Sequence, residues 1–140
     1  MKFDLRSPDL GLFLIRFGAG FMLAFFHGWD KFVGAFGYLF RGQEWGMVEG
    51  VRNIGFPLPG FFAVCAALAE FIGASLMAVG LFTNYAAAFV GFTMLVAIYS
   101  HLLRADFRIE LAAIYLLIAI GFILMSPGKY SLDHYLRKKA

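Results

Sequence analysis

Four apolar runs, at about residues 10–28, 58–82, 85–103 and 109–125, constrain this chain more than any other feature. A helix that crosses a bilayer needs about 20 mostly apolar residues, and inside hydrocarbon the backbone must satisfy its own hydrogen bonds. The runs therefore predict an all-α integral membrane protein, an antiparallel bundle of four transmembrane helices in one membrane domain covering residues 1–140. Composition agrees, since 61% of the chain is hydrophobic and 15% charged, against roughly 45–50% and about 25% in a soluble domain. Too little polar surface remains to keep such a chain in water. Its natural partner is the lipid bilayer.

Punctuation between the runs sharpens their ends. Ser7-Pro8-Asp9 opens the first with a helix-start signature, and Arg16 inside that run argues against a cleaved signal peptide. Thr83-Asn84 leaves only a tight turn between the second and third, Asp106 is a candidate N-cap for the fourth, and Ser126-Pro127-Gly128 ends it. The connection from Trp29 to Phe56 is long and aromatic, which predicts an interfacial or re-entrant segment at about 32–54 between the first two spans. An amphipathic tail follows at about 131–137. The net charge of +3 comes from basic residues at helix ends, the pattern of membrane anchoring and not of a nucleic-acid patch. Lys2, Arg6, Lys129 and the cluster Arg137-Lys138-Lys139 share one side, against Lys31, Arg41, Arg52, Arg104 and Arg108 on the other; the clustered tail decides a nearly even count, and the positive-inside rule assigns its side, with both termini, to the cytoplasm. Cys65 is the only cysteine, so the chain has no thiol couple of its own.

The charged residues inside the runs are the candidates for function, because ionisable groups are costly in a bilayer. Arg16 and Glu70 fall within the first and second spans, and side-chain reach allows them to form an intramembrane ion pair. Small residues Ala66, Ala67, Gly73 and Ala74 flank Glu70 and turn its carboxylate toward another helix. Depths counted from the helix ends put His27, His101 and Glu110 together at roughly 27 Å, with Lys31 one turn above His27. His27, Lys31, Glu70, His101 and Glu110 thus make up a candidate ligand or proton-exchange site. The structural alternatives are a register-fixing ion pair for Arg16 and Glu70, snorkelling for His27 and Lys31, and simple solvation for His101, Arg104 and Glu110 near a helix end. No catalytic residue and no metal-ligand set is evident; His27 with His101 is the one weak metal alternative.

These residues also carry a family resemblance. His27-Gly28-Trp29-Asp30-Lys31, then Glu70-Phe71-Ile72-Gly73-Ala74 running to Gly80-Leu81-Phe82-Thr83-Asn84, and the ending Pro127-Gly128-Lys129-Tyr130-Ser131-Leu132-Asp133 resemble the DoxX family over about residues 10–135. Ala74 and Asn84 depart from the usual glycine and basic residue. The resemblance implies a small four-helix inner-membrane protein of bacteria or archaea, with Lys31 and Glu70 as motif positions and links to membrane redox complexes. Two functional expectations follow. One is an accessory component of a membrane redox system, with no cofactor of its own, that binds a quinone-type ring and takes electrons from a partner subunit. The other is a non-enzymatic scaffold, carrier or homo-oligomer that binds a partner through its aromatic cover.

Overall fold

The computed structural model describes residues 7–106 and 108–139; Lys2 and Arg6, counted above, lie outside them, as does Phe107. Among the described residues all regular structure is helical. The first rod comprises α1 (Pro8–Met22), a π-helical turn (Leu23–Gly28) and α2 (Trp29–Arg41), which follow one another without a break for 34 residues. No proline interrupts this stretch. It stops only where Gly42 takes up a left-handed conformation at φ 63° and the Gln43 amide donates to the Gly37 carbonyl at 3.2 Å. The first part of the aromatic connection is therefore continuous with the first span. Residues up to Arg41 continue the first helix, and only α3 (Gly46–Asn53) folds back, against α4.

The second rod is built in the same way, from α4 (Pro59–Leu68), a π-helical turn (Ala69–Gly73) and α5 (Ala74–Val79). Gly80, at φ 75°, turns the chain into α6 (Thr83–Leu103), and α7 (Glu110–Leu124) packs along α6. The short α8 (Leu132–Lys139) ends the described chain. Pro8–Arg41, Pro59–Val79 and Thr83–Leu103 are long and apolar enough to cross a membrane, whereas Glu110–Leu124 is a shorter apolar helix. Small residues make the helix crossings: Ala24, Ala74, Ala87, Ala112 and Ala119 are buried beside Leu23, Met77, Val90, Met94, Tyr115 and Phe122. Large apolar side chains such as Phe26, Phe40, Phe89, Leu117 and Leu124 point outward. This reverses the arrangement of a soluble domain and suits a bundle whose solvent is lipid, where close packing drives association.

The register of the first rod against the second sets the position of every charged group. Arg16 reaches Ala78, Gly28 lies on Glu70, and the Tyr38 hydroxyl fills the space beside Gly60. The first rod thus overhangs the turn at Gly80, and its opening residues meet the segment after α7, where Asp9 accepts from the Lys129 amide at 3.0 Å. Counting depth from a common starting level misplaces its residues. Arg16 is level with the turn after α5 and not in the middle of the bundle, while His27 is level with Glu70. Gly73 lies against Val90, which puts Thr93 about level with Glu70, so His101 is about eight residues further along α6, roughly 12 Å away in level. His27, His101 and Glu110 do not share a plane.

Candidate ligand cavity

At the meeting of the two π-helical turns the backbones almost touch. A Cβ at Gly28 would lie 2.5 Å from the Glu70 carbonyl oxygen, so only glycine permits this approach. Side chains on a helix lean toward its N-terminus, and Lys31 leans back one turn onto Glu70. Its ammonium donates to both carboxylate oxygens at 2.6 Å. Glu70 is only 2% exposed, whereas the Lys31 side chain keeps 38% of its surface open. A buried carboxylate needs such a cation.

Beside this pair opens a cavity of about 650 Å³, walled by α4, α6 and the underside of α3. Phe56, Phe61, Phe62, Phe89 and Phe92 supply aromatic surface, and Cys65 lies on the same wall. The polar lining is sparse. Lys31 and Glu70 contribute at mid-helix, and Ser100, His101 and Arg104 contribute at the C-terminal end of α6. The Arg104 guanidinium donates to the Ser100 hydroxyl. His101 Nδ1 lies 3.3 Å from the Asp106 carboxylate. Hydrogen bonds from Arg108 first of all, and also from His101, bring the Asp106 pKa down to about 2, so this carboxylate is an acceptor at neutral pH. Nδ1 must then carry the proton, which leaves Nε2 as the edge of His101 that can exchange a proton with a ligand.

The remaining sequence candidates fall elsewhere. His27 packs edge-on to Tyr115 with ring centroids 6.1 Å apart and has a buried Nδ1 without a hydrogen-bond partner among the described residues; it does not line the cavity. Glu110 is exposed at the start of α7, where an acid complements the helix dipole. The weak metal pair is not assembled, because His27 faces Tyr115 while His101 faces Asp106. The expected ion pair of Arg16 with Glu70 is also corrected. Arg16, fully buried, donates to the carbonyls of Ala78 at 3.4 Å, Tyr130 at 2.7 Å and Pro127. Carbonyls left free at the ends of α5 and beyond α7 attract a cation, and Lys31 has already claimed Glu70.

The DoxX family model matches residues 11–103 of the chain. The chain belongs to the DoxX family. Neither a curated protein nor a solved structure matches it. Family membership and the apolar helices agree on a membrane protein. Within this DoxX chain the quoted motif residues divide between two places. Lys31 and Glu70 line one end of the cavity, and Gly28 packs on the Glu70 backbone. Gly80, Thr83, Pro127, Tyr130 and Asp133 gather at the other end of the bundle, around Arg16. There Asp133 accepts from the Phe82 amide at 2.8 Å and from the Thr83 amide and hydroxyl at 2.8 and 2.7 Å, capping the start of α6 across the chain. Burial raises the Asp133 pKa, but these hydrogen bonds together with nearby Arg137 bring it below the ordinary value. Sequence reasoning missed this clasp, as well as Ser100 in the cavity, and placed Arg104 near a helix end without including it among the candidate site residues.

Proposed function

We propose that this DoxX protein is an accessory component of a membrane redox system that holds a quinone-type ring in the cavity beside Lys31 and Glu70. The supporting observation is the cavity itself: its volume of about 650 Å³ and its phenylalanine walls suit a flat apolar ring. Ligand sites are typically clefts of roughly 300–1,000 Å³ with few polar groups. Reduction of a quinone adds a proton at each ring oxygen. His101, oriented by Asp106, is the group that exchanges one of them through Nε2, and Lys31 is the donor nearest the other end of the slot. Lone Cys65 has no partner for a thiol couple, so in this reading electrons come from a partner subunit. The phenylalanines that flank the slot, Phe61, Phe89 and Phe92, are themselves outward-facing, which suits entry of the ring sideways from the bilayer. In the same reading α7, extended by Ile109 and Met125, makes a fourth crossing of the inner membrane and leaves both termini in the cytoplasm.

Organic extraction of protein purified in mild detergent should release quinone, and adding an alkylated naphthoquinone to stripped protein should raise its unfolding temperature. Protein that carries no quinone and shows no shift on addition would sink the proposal.

A further inference from the structure

We infer that the cavity discriminates by charge and favours a ring ligand bearing an anionic oxygen, with Arg104 as the residue that selects it. This rests on the reading of the cavity as a ring site and adds to it the ionisation state of what enters. The charges on the cavity wall are unequal. Lys31 and Glu70 cancel, because the ammonium holds both carboxylate oxygens at 2.6 Å. Arg104 is the second cation, and among the described residues it pairs with no carboxylate; its hydrogen bond goes to the neutral Ser100 hydroxyl. The nearest acid in sequence, Asp106, is engaged by Arg108 at 3.0 Å and by His101 at 3.3 Å. The Ser100 oxygen accepts from Arg104, so its own proton is free to be donated to a ligand.

One end of an otherwise apolar slot therefore presents an unneutralised guanidinium, a hydroxyl donor and an oriented imidazole. Arg104 is exposed at the mouth of the slot, and a guanidinium binds anionic oxygen by charge-assisted hydrogen bonds, which are about twice as strong as neutral ones. A neutral quinone oxygen offers this cation no counter-charge. An ionised ring hydroxyl, with the ring among Phe56, Phe61 and Phe62 and any alkyl tail directed to the bilayer, would satisfy it.

The test uses two probes of equal apolar body on the purified full chain in nonionic micelles at neutral pH. One is an alkylated hydroxynaphthoquinone, whose ring hydroxyl is ionised, and the other is its neutral methyl ether. The anionic probe should bind at least about tenfold more tightly, as expected for one charged hydrogen bond. Arg104→Gln should bring the two affinities within about twofold, and Arg104→Lys should keep most of the preference. The ratio is read within each variant, so a partial loss of folded protein cancels. Equal binding of the two probes by the wild type, or a preference that survives Arg104→Gln, overturns the inference while leaving the ring site standing. Binding of neither probe removes the ring site and this inference together. A fourth arm adds anionic phospholipid to the micelles. The preference should persist; if it disappears, Arg104 serves a lipid phosphate and the assignment to the ring ligand is overturned.

Discussion

At the scale of single residues, Lys31 supplies the counter-charge of the buried Glu70. Removing the cation leaves a carboxylate that is 2% exposed without compensation. Lys31→Met should cost about 3 kcal/mol, the lower end for a broken buried pair because Lys31 is itself partly solvated. Adding Glu70→Leu should restore most of that loss, and unfolding of the single and double variants in mixed micelles gives the coupling directly. Half of this pair was legible in the sequence. An acid among small residues in an apolar run announces burial, but its partner depends on helix register, which no local pattern encodes. Asp106 makes a second prediction. Its pKa is held at about 2, below the ordinary 3.8, so its contribution is fully present above 3.8 and is lost as pH falls through about 2. The stability difference between wild type and Asp106→Asn should therefore be flat from neutral pH to about pH 4 and vanish toward pH 2.

At the scale of elements, two contacts between distant segments fix the helices in place. The clasp of Asp133 on Phe82 and Thr83 caps α6 from a residue fifty positions away. Asp133→Ala should cost about 0.5–2 kcal/mol, the range for losing an N-cap, measured as a lower unfolding temperature. The contact of the two π-helical turns tolerates less. Gly28→Ala places a methyl within 2.5 Å of the Glu70 carbonyl oxygen, and overpacking of this kind costs about 1–3 kcal/mol. It should also weaken ring binding, since the displaced backbone carries Glu70; thermal unfolding and ligand titration of one preparation read both effects. The sequence indicated helices here and small residues at their crossings. It did not indicate π-helical turns, whose extra residue shifts the helical phase by about 100° and is hard to read in runs that are apolar nearly all round, nor that the first helix would run unbroken to Arg41.

At the scale of the whole molecule, the overhang of the first rod reorganises the polar groups that the sequence places along the apolar runs. Arg16 moves to the clasp end, His27 faces Tyr115, and Lys31 descends to Glu70. Lys31, Glu70 and His101 remain together around one cavity. The cavity was not legible because its roof, α3, comes from the aromatic connection, and nothing in that segment's composition says which helices it covers. What composition did reveal is that aromatic surface exceeds the needs of helix packing, and part of the excess is cavity wall. The account's central claim is that this slot, with Cys65 on its wall, is where a ring ligand sits. As the chain's single thiol, Cys65 allows that claim to be tested without mutation, by the rate at which maleimide alkylates it in micelles. A saturating, fully substituted alkylated naphthoquinone should slow that alkylation severalfold; an unchanged rate while the ligand is bound would contradict the account.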